Sequence, residues 1–248
     1  ETEWNTINNI LLELYTIDNV NLLSQKVMRV MRILIPYTKG YFVLLDDDQN
    51  IIKNESYFIG FDNQSEENYI DTYYNEDYIK YLYDFASETN VYKDTNILAN
   101  DIRKNTNFYI NFLKPEDIIY GCGIMITRNS RITGIFNLFR NEKSGDFNEK
   151  ELYILNILKN HLENMIYNVT QISRANISVS KNIDKFAQEF NLTSREAQIL
   201  NLINKGCSNQ EIADKLVISL STVKKHIYNL YSKTSVSSRG QLISLFLE

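Results

Sequence analysis

Two adjacent lysines close to the C-terminus, Lys224 and Lys225, with Tyr228 one turn further on, are the side chains whose placement promises recognition chemistry. A lysine ammonium donates hydrogen bonds to phosphate oxygens and to the O6 and N7 acceptors on a guanine edge. Ser221 and Thr222 stand just ahead of them, where the free N–H groups of a first helical turn attract a phosphate. Asn209 and Lys233 are further phosphate donors, of the kind that hold register without reading sequence. If Val223, Ile227 and Leu230 face a core, the helical period turns Lys224, Lys225, Tyr228 and Asn229 outward or to the flanks. A tyrosine at 228 either reads a base edge or fills space. His226, three residues after Val223, is expected at the boundary, hydrogen-bonding locally. The plainer reading of two neighbouring lysines is a solvated helix face, and the elements that position them decide between the two.

Chemistry of other kinds finds no foothold. His161 and His226 fall in different halves of the chain, and no nucleophile and base stand together, so an enzyme is not expected. Cys122 and Cys207 have neither a disulfide framework nor metal-ligand spacing, which fits a reducing cytoplasm and implies no metal and no cofactor. Cys122, between Gly121 and Gly123, reads as a buried structural cysteine in preference to a redox sensor. His161 reads as a boundary residue and not a haem ligand. Asp46 to Asp48 read as a solvated turn and not as a phosphoryl-receiving pocket.

Three helix starts position the lysines. Thr193 and Glu196 have the spacing of a capping box, each side chain reaching the other's backbone N–H, with Leu192 and Ala197 as the staple. Ser208 and Glu211 repeat the box with Cys207 and Ile212 as the staple, directly after Gly206, which suits a left-handed helix end. Ser219 caps the third helix, with Ile218 and Val223 as the staple, and that helix is predicted to run to about Lys233. Apolar residues recur between the caps at helical spacing, so each helix buries one stripe. Two short helices with a tight joint read as a helix-turn-helix, whose second helix enters the DNA major groove.

The stretches LTSREAQIL, GCSNQEIADKL, ISLSTVKKHIYNLYSK and VSSRGQL, over roughly Phe186 to Leu245, resemble the LuxR-type (GerE-like) DNA-binding domain in order and spacing. The resemblance implies that Lys224, Lys225 and Tyr228 face the major groove. Thr234 stands where the family usually has leucine, and Gly240 falls in the first turn of the final helix, both departures that bear on packing.

At 248 residues two domains are expected. Asn182 to Glu248 carries 8 Lys/Arg against 6 Asp/Glu, net +2, and the remainder 18 against 25, net −7, so the acidic part would face away from DNA. No basic and apolar leader and no apolar run near ~18 residues appears, so neither a signal peptide nor a membrane span is expected.

Upstream, Glu3 to Tyr15 and Val20 to Ile35 are helical by period, Tyr41 to Leu45 and Ile51 to Ile59 read as a hairpin, and Glu66 to Phe85 is mostly helical and crowded with tyrosine. A short helix carrying Phe108, Tyr109 and Phe112 ends at Pro115. Ile118 to Thr127 and Ile132 to Arg140 read as two strands joined at Asn129 and Ser130, with Ile132, Gly134, Phe136 and Leu138 on one face and Ile135 and Phe139 on the other. The predicted class is α+β: an antiparallel sheet flanked by helices, followed by an all-α domain. Arg131 to Ile166, with its strand, polar turn, Asp-Phe-x-Glu and helix, resembles the end of a GAF sensor domain, which implies a small-molecule site between sheet and variable middle. The tyrosine cluster is the best hint of that pocket; an aromatic core is the alternative. The pocket tryptophans of acyl-homoserine-lactone sensors are missing, Trp4 being the only tryptophan.

Leu155, Leu158, Leu162, Met165, Val169 and Ile172 follow one another at steps of three and four, the seam of a short coiled coil and hence of a homodimer. A helix covering a sheet gives the same stripe. Expected boundaries are a GAF-like sensory and dimerising domain at 1–168, its closing helix at about 148–173, a stalk end and linker at 169–182, and the helix-turn-helix domain at 183–248. The function expected is a cytoplasmic, dimeric transcription regulator that binds double-stranded DNA under control of a small molecule or partner. The alternatives are an adaptor whose helical domain binds protein, and a ligand-independent regulator whose first domain only dimerises.

Overall fold

The computed structural model describes residues 2–80 and 87–247, and the side chains of 4–80, 87–173 and 182–247. The chain forms two compact units, Glu1–Gln171 and Ile172–Glu248. No helix among the described residues is long and apolar enough to cross a membrane.

The first unit opens with α1 (Thr2–Leu14) and α2 (Val20–Leu34). The Asn19 side chain accepts from the Leu22 N–H to start α2, and Pro36 lies just past its end. A five-stranded antiparallel sheet follows, in the order β2-β1-β5-β4-β3, built from β1 (Lys39–Leu44), β2 (Tyr57–Ile59), β3 (Asn90–Lys93), β4 (Tyr120–Arg128) and β5 (Arg131–Arg140). Asn129 and Ser130 both take positive φ, 51° and 59°, the requirement of a two-residue hairpin whose twist matches its strands.

Each face of the sheet packs its own layer. Phe42, Leu44, Cys122, Ile124, Ile126, Phe136 and Leu138 bury against α1, α2 and the first part of α6 (Glu149–Glu189). Tyr41, Val43, Met125, Ile135 and Phe139 bury on the opposite face, against α3 (Asn63–Asp71), the π-helical turn Tyr109–Leu113 and the aromatic side chains around them. Two short helices, α4 (Asp94–Ile97) and α5 (Asn100–Lys104), lead from β3 into that second layer. The polar turn after β5 is fastened to α6: Arg140 forks onto both oxygens of Glu151 at 2.6 and 3.1 Å, its guanidinium stacks over Phe147, and Glu151 completes a capping box with Asn148.

Several expectations are corrected. The stretch Ile51 to Ile59 is not one strand: Leu45 and Ile51 form an isolated bridge, Lys53–Glu55 is a 3-10 turn, and only Tyr57–Ile59 pairs. Asp46 accepts from the backbone N–H groups of Asp48 and Asn50, so the turn spends its residues on local bonds. Ile132 lies on the face of Ile135 and Phe139, because the register slips at Ile126/Thr127 and the extra residue, Thr133, reverses the alternation. The tyrosine-rich stretch is α3 with a 3-10 turn at Tyr73–Asn75 in place of one long helix; Tyr81 and Tyr83 lie outside the described residues. Strand β3 carried no sequence signal that separated it from a loop.

The proposed dimer seam is the largest correction. Leu155, Leu158, Leu162, Met165 and Val169 are 0 to 3% exposed and belong to the unit's own core with the sheet, α1 and α2, so the stripe is covered from within the unit. Ile172 alone remains exposed. The expected linker at 173–182 is helical backbone within α6. Serine and asparagine only mildly disfavour a helix, and neither proline nor glycine interrupts residues 146–205 beyond Gly145 to stop it.

The second unit consists of the end of α6, α7 (Ser194–Asn204), α8 (Asn209–Leu216), α9 (Leu220–Thr234) and α10 (Arg239–Leu247). One core, with Phe186, Ile199, Leu200, Ile203, Ile212, Val223, Leu230 and Leu242 at its centre, joins them.

Candidate functional site

Both capping boxes expected in the second unit are formed, Thr193 with Glu196 and Ser208 with Glu211. Ser219 accepts from the Thr222 N–H at 3.1 Å, and its hydroxyl lies 2.8 and 2.7 Å from those of Ser221 and Thr222. The start of α9 is therefore a cluster of three hydroxyls beside free backbone N–H groups, the arrangement that receives a phosphate. Along α9, Val223, Ile227 and Leu230 are buried while Lys224 and Lys225 are exposed and Tyr228 is 72% exposed. Neither lysine has an ion-pair partner among the described residues. The outward edge of α9 is thus a row of two unpaired ammonium groups and a phenol.

Two expected phosphate contacts are engaged within the unit. The Lys233 ammonium donates to the Asn191 carbonyl and to Glu196 Oε2, both at 2.7 Å, so it locks α9 to the start of α7 instead of reaching outward. Asn209 accepts from Arg239 at 3.3 Å. His226 makes no local bond through Nδ1, which is buried without a partner among the described residues. Thr234, at the position where leucine was noted as usual, buries its hydroxyl by donating to the Leu230 carbonyl.

Three structural roles escaped sequence reasoning, because the partners are distant in the chain. Arg195 donates to the Leu216 carbonyl across the α7–α8 pair, Arg239 donates to the Cys207 carbonyl, and Lys233 closes the pair already described. Although burial opposes its ionisation, Lys233 and the Thr193 N–H hold the Glu196 carboxyl below its usual range. Glu196→Ala removes the reciprocal cap and leaves Lys233 unpaired, and is expected to destabilise the second unit by about 2 kcal/mol. A urea titration followed by helical circular dichroism reads this directly, and a change within about 0.5 kcal/mol, typical of an ordinary surface site, would reject it.

The α8–α9 joint is strained. Val217 ends α8 at φ 52°, ψ 50°, in the left-handed region, with its side chain 89% exposed. A β-branched residue there costs roughly 1–2 kcal/mol and packs against nothing in compensation. Val217→Asn, which tolerates that conformation, is expected to stabilise the unit by about 1 kcal/mol in the same titration; a destabilisation would show that the turn does not set the energy.

In the first unit, aromatic side chains pack between the sheet and the variable middle. Tyr41, Phe58, Phe61, Tyr69, Phe108 and Phe112 contact one another with ring centroids 4.8 to 6.2 Å apart. Through this layer runs a polar network. Tyr69 donates to Tyr41 at 2.7 Å and lies 3.1 Å from Asp77, Asn137 donates to the Tyr41 oxygen at 3.1 Å, and Tyr78 donates to Asp94 at 2.6 Å. Burial pushes Asp77 up to about 7 and Asp94 up to about 6. Cys122 points to the other face, toward α6, and burial pushes its thiol up, opposite to what a thiolate sensor requires. His161 shares a hydrogen bond with the Tyr15 hydroxyl at 3.0 Å, as a boundary residue does.

The CsgBAC operon transcriptional regulatory protein of Escherichia coli is 35% identical over 144 residues, 57% of this chain and 61% of that protein, less than two thirds of its length. The monoamine regulon transcriptional regulator of Klebsiella aerogenes is 25% identical over 213 residues, 85% of this chain and 84% of that protein. Among solved structures, the ligand-binding domain of VqsR from Pseudomonas aeruginosa superposes with a TM-score of 0.53 at 11% identity, over 69% of this chain and 99% of that one, which is a likeness of fold. Residues 190–246 match the family described as bacterial regulatory proteins, luxR family, and with the capped helices and the outward basic edge of α9 they form a LuxR-family helix-turn-helix domain.

Proposed function

We propose that the protein is a transcriptional regulator whose second unit binds double-stranded DNA and whose first unit controls that binding in response to a small molecule. Lys224, Lys225 and Tyr228 read base edges in the major groove, while Ser221, Thr222 and the start of α9 hold a phosphate. The single observation that carries this reading is the outward edge of α9, two unpaired lysines beside a hydroxyl-rich helix start, on the face opposite the buried Val223, Ile227 and Leu230. The names of the two relatives, both regulators of transcription, support it.

The sensory reading is supported by the aromatic layer with its buried carboxylates, by the likeness in fold to a ligand-binding domain, and by the GAF-type resemblance of Arg131 to Ile166. The protein acts in the cytoplasm as a homodimer on half-sites about 10 bp apart. Since Leu155 to Val169 are spent on the core, the pairing surface lies elsewhere than that stripe.

Fluorescence anisotropy on labelled promoter fragments at varied salt tests the nucleic-acid half. Counterion release makes affinity fall by roughly a thousandfold or more from about 50 to 200 mM salt when six or more phosphates are neutralised. Affinity for DNA that ignores salt, or no binding to any fragment, would reject the reading and favour a protein-binding adaptor. A regulator whose first unit merely dimerises would bind DNA identically with and without every metabolite tried.

A further inference from the structure

We propose that the polar floor of the first unit's aromatic layer binds a compact zwitterion of the free α-amino-acid class, its carboxylate against Arg103 and its ammonium against Asp94 and Asn137. The proposal rests on the sensory reading above and names the chemistry that enters the site.

The floor is built by the sheet register. Tyr41, Asn137, Gly123 and Tyr92 pair in one row across β1, β5, β4 and β3. Gly121 and Gly123 carry no side chain where the Asp94 carboxylate and the Tyr92 hydroxyl lie against the sheet. A methyl group on Gly121 would overlap the Asp94 carboxylate, and one on Gly123 would overlap first the Phe136 carbonyl of the neighbouring strand and then the Tyr92 hydroxyl. Small residues at both positions of β4 make room for polar ends against the backbone, where large apolar side chains would otherwise close the core.

Among the described residues, the groups on this floor are incompletely paired. Asp94, Arg103 and Asn137 are all 0% exposed. Asp94 accepts from Tyr78 through Oδ2, and its Oδ1 has no partner. Arg103 donates through Nη2 to the Ile119 carbonyl at 2.7 Å and to Asn100 at 3.2 Å, while Nε and Nη1 have none. Its Nη1 stands 4.0 Å from Asp94 Oδ2, beyond hydrogen-bond distance. Asn137 spends its amide nitrogen on Tyr41 and leaves its oxygen without a partner.

Native proteins pair nearly all such atoms, so a cluster of orphans calls for an explanation. Two unpaired donors on a cation and two unpaired acceptors, one of them an anion, specify the missing partner. An apolar ligand would leave both sets unpaired. A lone amine would meet only Asp94 and Asn137, and a lone carboxylate only Arg103. A molecule carrying an ammonium and a carboxylate a few ångströms apart meets both sets and leaves the net charge of the buried site unchanged. Tyr78 and Phe108, in contact edge to face at 5.7 Å, and Tyr109, under the Arg103 guanidinium, wall the floor with rings that suit the ligand's side chain.

The test is thermal unfolding of the full wild-type chain with each proteinogenic L-amino acid at millimolar concentration, beside its amine lacking the carboxylate and its acid lacking the amine. At least one amino acid is expected to raise the first unit's melting temperature, by roughly 5–10 °C when present at about a hundredfold its Kd. Both truncated analogues are expected to leave it nearly unmoved. Arg103→Gln and Asp94→Asn should each remove the shift, and because either substitution risks unfolding the unit, the wild-type comparison of analogues decides. A shift produced equally by uncharged or singly charged analogues overturns the zwitterion while leaving a sensory site. No shift with any amino acid, or a crystal structure in which ordered water alone bridges the orphan atoms, overturns the site itself. Salt-dependent DNA binding, measured separately, would survive either failure.

Discussion

Replacing Lys224 and Lys225 together by alanine is expected to erase discrimination between an operator and an unrelated duplex while leaving the fold intact. The fold should survive because both side chains are exposed and unpaired, and α9 is held from its other side by Val223, Ile227 and Leu230. A change in stability within about 0.5 kcal/mol is therefore expected. The DNA effect is large because a well-placed contact to a base edge contributes about 1–3 kcal/mol of discrimination, so two lost contacts reduce specific affinity by roughly thirtyfold to twenty-thousandfold. Competition binding against operator and scrambled duplexes reads it. If every duplex weakens equally, the lysines contact phosphate and not bases; if none weakens, they are only a solvated face. Lys233→Ala is the useful contrast, since its ammonium is tied to Glu196 and Asn191 and its loss should act on stability instead.

The second large effect concerns Asp77. Tyr41 and Tyr69 hydroxyls surround its carboxyl in the aromatic layer, and burial raises it to about 7, with the Ile79 N–H opposing the rise. The folded state thus holds a proton that the unfolded chain releases near pH 4. Between about pH 4 and 7 the native state binds more protons than the unfolded one, so stability must decline as pH rises. The contribution of this group is fully present below its unfolded pKa and is lost as pH passes through about 7. At about 1.4 kcal/mol for each pH decade, the loss approaches about 4 kcal/mol, less whatever relaxation of the site recovers. Asp94, raised to about 6, adds to the trend over the lower part of that window. Asp77→Asn, which keeps the shape without the charge, should flatten the profile and be more stable than wild type at pH 8. Urea unfolding of the first unit at pH 5 and pH 8 checks this; a wild-type stability that rises over that interval would show that the carboxylate is charged and paired in the native state.

The two units differ in how much of them can be read along the chain. In the second, the starts of α7, α8 and α9 and the tight α8–α9 joint followed from residues close together in the chain, and so did the face on which Lys224 and Lys225 emerge. In the first, α1, α2, the β4–β5 hairpin and the α+β class were legible from period and turn chemistry. The bulge that moves Ile132 to the other face was not, because nothing at Thr133 departs from strand alternation until its partner strand is present.

The stripe from Leu155 to Val169 shows where that reading must stop. A helix at a coiled-coil seam and a helix laid over a sheet carry the same spacing of leucines, since both bury one side against an apolar surface. Only the packing of α1, α2 and the sheet identifies which surface it is. The same holds for the polar floor. Tyr41, Asp77, Asp94, Arg103 and Asn137 are scattered over nearly a hundred residues, and none is unusual for its neighbours in sequence. Caps, turns and amphipathic periods are short-range chemistry, so the sequence by itself determined the helix-turn-helix and its basic edge. Burial and the pairing of charges are long-range, so only the tertiary structure decided that the stripe serves the core, that Lys233 faces inward, and that unpaired groups meet on the sheet.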